Sequence, residues 1–381
     1  MFIKTYQNPD RARQWLNQRK SQSPHYACVL GFTETGLIEG ISAAGATPRD
    51  RAYTALADAE FLALGAQPHP RYPLPPLMAG VSPALISRAA IAQLKMPIHL
   101  LDAGLIHVPS VPVTGLDGAP ARCLTTGSAL PLATVKRLFE AGWAWGEQWA
   151  REHPDCYLIL SECVVGGTTT ALSILTGLGI AATGKVNSSH PRCNHAQKAE
   201  IVQQGLIQAR LWPVPETVDP MVLVAAVGDP MQMAAAAMAM AISRTTGVLL
   251  AGGTQMLAVY ALMQRLGTYR LPWQPKNVVV GTTRWVSEDR TGDTPGLAQA
   301  VGNVPLLATQ LNFTASSYEP LRAYEQGYVK EGVGAGGCAI AVHLHWGWTS
   351  TQFLAAIEAL IAQTYSPLRR ESEVKLKPEA K

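Results

Sequence analysis

Between Tyr157 and Gly179 the chain reads YLILSECVVGGTTTALSILTGLG. A short apolar run, Tyr157 to Leu160, breaks at Gly166 and Gly167 and resumes with Ala171, Leu172, Ile174, Leu175 and Leu178 at helical spacing. The pattern predicts a strand, a glycine turn and a helix. Units of this kind assemble into a parallel sheet with the helices packed on its faces. Thr168, Thr169 and Thr170 stand at the predicted helix start, where a hydroxyl can accept from the unpaired N–H groups of the first turn. A turn without β-carbons at two positions, feeding the positive end of a helix, suits a phosphate held by backbone N–H groups and hydroxyls. An ordinary strand-to-helix turn has the same spacing.

The same alternation recurs along the chain. Residues 7 to 23 read as a polar, exposed helix, and His25 to Phe32 as a buried strand. Ala52 to Leu64 has helical spacing and stops at Gly65. A proline-dense stretch, 68 to 76, leads into Leu77-Met78-Ala79-Gly80-Val81, then Ser82 as a cap with Pro83 at the first helical position. Ile98 to Leu101 is a strand, 106 to 128 has no regular pattern, and Leu130 to Arg151 is a long helix. Ala196 to Arg210 reads as helix and Met221 to Val227 as a strand. Met231 to Ser243 is an alanine- and methionine-rich helix made for core packing. Gly247 to Leu250, Gln255 to Arg265 and Asn277 to Gly281 read as strand, helix and strand. The fold class is therefore α/β: a mostly parallel, open, Rossmann-like sheet with helices on both faces, plus a smaller helical part from the chain ends. Glycine turns at 166–167, 228, 252–253 and 281 all fall at carboxyl ends of expected strands, where an open parallel sheet binds its ligands.

Apolar residues make up 48% and charged ones only 15%, which requires a large buried fraction and suggests a homodimer. A net charge of +4, scattered along the chain, argues against a nucleic-acid partner. Basic residues gather only in Arg369, Arg370, Lys375, Lys377 and Lys381, read as part of a solvated tail from 363 to 381. The six cysteines form no Cys-x-x-Cys pair and read as reduced thiols of a cytoplasmic protein without structural disulfides or zinc. Thr245 to Gln264 is uncharged, but its interruption by Gly252-Gly253-Thr254-Gln255 makes it a buried strand, turn and helix rather than a membrane span.

A second constellation, Lys330-Glu331-Gly332-Val333-Gly334-Ala335-Gly336-Gly337, lies near the C-terminus. Gly332, Gly334 and Gly337 match Gly-x-Gly-x-x-Gly, but no convincing strand precedes them. These glycines suggest close backbone approach to a ligand or to another element. A glutamate held in such a loop can be desolvated, which raises its pKa toward a value useful to a general base.

Glu162 with Gly166 and Thr168-Thr169, Lys198 in AQKAEIVQQGL, and Glu331-Gly332-x-Gly334-Ala335 occur in an order and spacing that resembles the nicotinate-nucleotide:dimethylbenzimidazole phosphoribosyltransferases. That family builds the lower nucleotide loop of cobalamin. The resemblance covers residues 75 to 362 and is closest to a divergent cyanobacterial and archaeal branch carrying the run GGTTTA. It implies a phosphoribosyltransferase domain over 76–362, preceded by an N-terminal segment, 1–75, without a match. It implies Glu331 as the base that takes a proton from the incoming ring nitrogen. Gly166, Gly167, Thr168 and Thr169 stand in the place of the phosphate loop, and Glu162, Lys198, Gly332 and Gly334 near the nucleotide. The implied substrates are nicotinate mononucleotide and an aromatic base, benzimidazole-like or purine, with homodimerisation and no metal or cofactor requirement.

The chain departs from the family pattern at three places. Gly167 stands where the family has Asn, Ala251 where it has Asp, and an aspartate–histidine–glycine segment expected near Gly80 is absent. The alternatives are a non-catalytic nucleotide-binding paralogue and, resting on Gly332, Gly334 and Gly337, a nicotinamide-dependent oxidoreductase.

Overall fold

The computed structural model describes residues 2–45, 47–75, 80–269, 272–302 and 304–375, with side chains as far as residue 364. Leu77 to Ala79, Lys377 and Lys381 lie outside the described residues. One sheet of eight strands organises the chain: β1 (Ile3–Gln7), β2 (Ser23–Gly31), β3 (Ile98–Gly104), β4 (Thr114–Gly115), β5 (Cys156–Cys163), β6 (Val248–Ala251), β7 (Val278–Thr283) and β8 (Leu306–Thr309). Their spatial order is β1-β8-β7-β6-β5-β2-β3-β4. All neighbours are parallel except β1, which runs antiparallel to β8.

The period-2 alternation of strands divides the core in two. Leu158, Leu160, Val248, Leu250 and Val280 join one cluster; Tyr157, Ile159, Leu249 and Val279, their chain neighbours, join the other. Over the first face lie the helices Leu132–Glu152, Gly167–Gly177, Pro230–Ser243 and Thr254–Gly267; over the second lie Thr54–Leu64, Ala84–Leu94 and Ala335–Trp346. The Pro230–Ser243 helix is buried along its whole length, as its Ala/Met composition requires. It packs against Leu132–Glu152, where a β-carbon on Gly142 would fall 2.6 Å from the Ala234 carbonyl oxygen.

Two elements differ from expectation and one strand pair was not expected. Met221 to Val227, expected as a strand, belongs to the helix Pro220–Val227. A short apolar run fits either state. Asp219 decides it here, because its carboxylate accepts from the N–H groups of Met221 and Val222 while Pro220 occupies the first turn. The N-terminal helix, Pro9–Arg19, is not a fully exposed one: Trp15 is completely buried and its indole N–H donates to the Asn277 carbonyl at 2.9 Å. The edge pair β1 and β8 had no expectation at all. Residues 1–75 supply β1 and β2 to the common sheet, and the helix Ser350–Lys375 runs across residue 363, the expected start of a solvated tail.

From β2 the chain moves outward through β3 and β4, then crosses back to β5 on the other side of β2 and continues to β6, β7 and β8. The carboxyl ends of β2 and β5 therefore flank the topological switch point, the place where such sheets open a crevice.

Candidate functional site

A cavity of about 440 Å³ opens at this switch point. Its wall takes residues 162–168 from the end of β5, Ser42 to Gly45 after β2, Thr54 and Asp58 from one helix, and Gly80 to Pro83. Asn187 to Ser189, Gly253 to Gln255 after β6, and Val329 to Val333 close it.

The turn after β5 is built around Gly166, which sits in the left-handed region at φ 91° and caps the helix Gly167–Gly177. The helix thus begins before the threonines, and none of them is its N-cap; glycine is chosen because a side chain is disfavoured at that φ and a β-carbon would lie 2.8 Å from the Gly36 nitrogen. Gly166, Gly167 and Thr168 line the cavity. Thr169 does not: it is fully buried, and its hydroxyl has no hydrogen-bond partner among the described residues. Thr170 donates to the buried Asp229 carboxylate at 2.5 Å and ties the turn to the next crossover. The space over Gly167 is filled by Gln255, whose amide donates to Glu162 Oε1 at 3.1 Å.

Glu162 is buried, and its Oε2 also accepts from the Val164 N–H at 2.9 Å. Burial pushes its pKa up to about 8, the nearby Asp229 adds to the rise, and the Val164 N–H opposes it. Lys198 is fully buried outside the cavity wall, and its Nζ donates to the Asn187 carbonyl at 2.5 Å. Desolvation lowers its pKa to about 8.

Glu331 faces the cavity from a loop with unusual backbone geometry. Val329, Lys330 and Val333 have φ of 64°, 71° and 42°, interleaved with Gly332 and Gly334 at 154° and 72°. A β-branched residue in the left-handed region is strained, so the surroundings must hold it there. They do: the Val333 carbonyl accepts from Tyr26 Oη at 2.8 Å and Ser87 Oγ at 2.7 Å, and the Lys330 carbonyl accepts from Thr283 Oγ1. Glu331 Oε2 accepts from the Thr282 hydroxyl and the Thr283 N–H at 2.8 and 2.9 Å, and Oε1 from the N–H groups of Gly336 and Gly332 at 3.0 and 3.4 Å. Desolvation nevertheless raises its pKa above the ordinary carboxylate value. Gly332 lines the cavity, whereas Gly334 packs behind it on Ser161. Gly337 abuts Ala251, and the segment before the glycines is the 3-10 turn Ala323–Gln326 followed by loop. Gly334 and Gly337 therefore serve close packing of the helix Ala335–Trp346 on the sheet, not a strand–turn–helix dinucleotide fingerprint.

Sequence reasoning missed Asp58, Lys330 and Gln255. Asp58 is buried, accepts from Ser82 Oγ at 2.7 Å, and burial raises its pKa to about 6. Lys330 Nζ pairs with Asp289 Oδ2 at 2.5 Å. The residue beside Glu331 could have been noticed; Asp58, which shares an otherwise apolar helix with the equally buried Glu60, carried a signal only as a charge on a buried face.

No family model matches the chain. It is 60% identical over 362 residues to a UPF0284 protein of Trichodesmium erythraeum (strain IMS101), covering 95% of this chain and 98% of that protein. It is 62% identical over 360 residues to one of Cyanothece sp. (strain PCC 7425 / ATCC 29141), covering 94% and 96%. Among solved structures it is similar to the nicotinate-nucleotide-dimethylbenzimidazole phosphoribosyltransferase of Thermus thermophilus, with a TM-score of 0.57 and 16% identity over 96% of this chain and 94% of that one. CobT from the same organism matches with a TM-score of 0.56 and 16% identity over 94% and 97%. At that identity the likeness is one of fold, and its extent takes in most of residues 1–75, which the sequence motifs do not reach. With its identity to these relatives sustained over nearly the whole of each protein, the chain belongs to the UPF0284 family.

Proposed function

We propose that this protein transfers 5-phosphoribosyl from nicotinate mononucleotide to a ring nitrogen of an aromatic base, benzimidazole-like or purine, releasing nicotinate and forming an α-ribotide for the lower loop of a cobalamin-type cofactor. The observation that carries this reading is the seating of Glu331: a partly desolvated carboxylate on a strained loop, facing a switch-point cavity whose other wall is the Gly166–Thr168 turn. Nicotinate leaves with the electrons of its glycosidic bond, which its cationic pyridinium ring accepts. The enzyme's task is to align two substrates and remove one proton. Glu331 takes that proton from the base nitrogen, its oxygens held in place by Thr282, Thr283 and Gly336. The backbone of Gly166 and Gly167 and the Thr168 side chain face the nucleotide phosphate, and Glu162, fixed by Gln255 and Val164, lies beside the ribose.

The test is a chromatographic assay of purified protein with nicotinate mononucleotide and a panel of 5,6-dimethylbenzimidazole, benzimidazole and adenine, following both nicotinate and ribotide. Ribotide with any of these bases supports the transferase and names its acceptor. Mononucleotide binding without nicotinate release from any pairing overturns it in favour of a nucleotide-binding protein. The homodimer expected for such an enzyme is checked by sedimentation of the same preparation.

A further inference from the structure

A second cavity, of about 220 Å³, lies at the other end of the sheet. Trp145, Trp149, Glu152 and the capping His153 reach its wall from the end of the helix Leu132–Glu152, and His99 from the start of β3. His25, behind His99, stands six residues before Gly31 at the carboxyl end of β2, so about 20 Å of strand separates this place from the switch point. The helical period gathers the wall. Trp145 and Trp149 are four residues apart, and Trp149 with His153 repeats the interval. The rings meet at steep angles: Trp145 and His99 at 75° with centroids 5.5 Å apart, Trp149 and His153 at 53° and 5.4 Å.

The wall is negative in character. Glu152 brings a carboxylate, oriented by the Gln148 amide, which donates to its Oε1 at 2.9 Å. Among the described residues no lysine or arginine lines the cavity. The helix ends here, and its last carbonyls carry partial negative charge. Ring faces add the negative side of their quadrupoles. Protonated histidines would cancel this, but burial pushes His25 down to about 4, and the charges of His153 and His99 push the same way. Burial also lowers His99, joined by the His153 charge and opposed by Glu152. His25 Nδ1 lies 3.4 Å from His99 Nε2, which suits one N–H facing one lone pair. An anion would meet Glu152 and the helix carbonyls. A metal ion would need three converging ligands, and the described His, Cys, Asp and Glu residues form no such group. An organic cation is favoured on every side, and four of the seven wall residues are rings, which suit N-methyl groups better than N–H donors. The volume is below the roughly 300–1,000 Å³ of drug-sized ligands and fits an ammonium headgroup.

We propose that this cavity binds a small methylated ammonium ion, with its charge against Glu152 and the end of the helix and its methyl groups on Trp145 and Trp149. The site is separate from the switch-point cavity and does not rest on the transferase reading.

The experiment titrates the full chain, in a calorimeter, with choline, with its uncharged isostere 3,3-dimethylbutan-1-ol and with ethanolamine, which lacks the methyl groups. The proteins are the wild type, Glu152→Gln and Trp145→Leu. Choline is expected to saturate the wild type and to bind roughly tenfold or more above the alcohol and the primary amine. Each variant should weaken choline roughly 3–30-fold, the range for one cation–π or charge contact, while Glu152→Gln leaves the alcohol within about twofold. Glu152 is exposed, so its variant decides even if Trp145→Leu does not fold. Absence of saturable choline binding overturns the proposal, as does equal affinity for choline and either comparison ligand. Choline binding that Glu152→Gln leaves unchanged also overturns it, because the cation then sits elsewhere, such as the carboxyl-lined switch-point cavity.

Discussion

Glu331 offers its four acceptor positions to four donors, so its proton affinity is set by a balance: desolvation raises it and the hydrogen bonds hold it down. Replacing it by Gln keeps the shape and removes the basicity. Turnover is expected to fall by roughly two to four orders of magnitude with little change in mononucleotide affinity, and near-normal turnover in a steady-state assay would remove Glu331 from the mechanism. Glu162 lends itself to a stability measurement. Its carboxyl is raised from an ordinary 4.5 to about 8 in the folded chain, so folding favours the protonated form. The stabilisation is complete below about pH 4.5 and is lost as pH rises through 8, and Asp58, raised to about 6, acts in the same direction over a lower range. Thermal unfolding should therefore shift to lower temperature between about pH 5 and pH 8.5, and Glu162→Gln should flatten that limb and unfold later than the wild type at the alkaline end. Parallel curves for the two proteins would refute this. Glu162 and Glu331 could be singled out because each stands near a glycine-rich segment, Glu162 at the end of β5 and Glu331 in a loop that leads into a helix. The pairing of Lys330 with Asp289 could not, since an ion pair between a loop and a helix terminus has no periodicity or fixed spacing to reveal it.

At the scale of elements, the two loops of the site are made rigid in different ways. The turn after β5 relies on Gly166 at φ 91°. Gly166→Ala places a β-carbon 2.8 Å from the Gly36 nitrogen in the left-handed region, and a loss of at least about 1–2 kcal/mol in denaturant unfolding is expected, with weaker mononucleotide binding. The 329–334 loop instead keeps non-glycine residues left-handed and holds them by buried hydroxyls beneath. Tyr26→Phe removes one of the two donors to the Val333 carbonyl. The expected cost is about 1 kcal/mol of stability, together with a fall in kcat larger than any change in KM, because the loop that positions Glu331 loses a tether; an unchanged kcat would show that Ser87 suffices. The strand–turn–helix of 157–179 was readable in the sequence to within a residue or two of each end. Its helix start was misplaced because threonine capping and a left-handed glycine compete for the same turn. Met221 to Val227 was misread because seven apolar residues fit either periodicity, and the deciding groups, Asp219 and Pro220, precede them.

For the molecule as a whole, the alternation of apolar runs and helical patterns carried the fold class, and the glycine turns at 166–167 and 252–253 marked the edge of the sheet at which the cavity opens, whereas Gly228 lies between two helices and Gly281 inside β7, neither on the cavity wall. What the alternation could not carry was strand order. β1 is five residues long and more than half polar, and β8, though apolar, has only four residues, so neither is long enough for a strand period to show. Their pairing finishes the sheet edge. Deleting residues 1–8 is expected to leave β8 as a bare, apolar edge and to promote association, visible as concentration-dependent light scattering that the full chain does not show. β2 has a consequence for how the protein is made. Its eight buried residues end up between β3 and β5, with Tyr26 beside Ile159. During synthesis this apolar strand leaves the ribosome long before β5 exists, and the loop bearing Glu331 follows only near the end. A growing chain therefore carries its future sheet centre uncovered through a large part of translation, and it has no complete site until almost all of it has emerged. Products truncated before β5 are therefore expected to leave β2 uncovered and to aggregate, and full-length chains to gain in soluble yield when holding factors are supplied during synthesis.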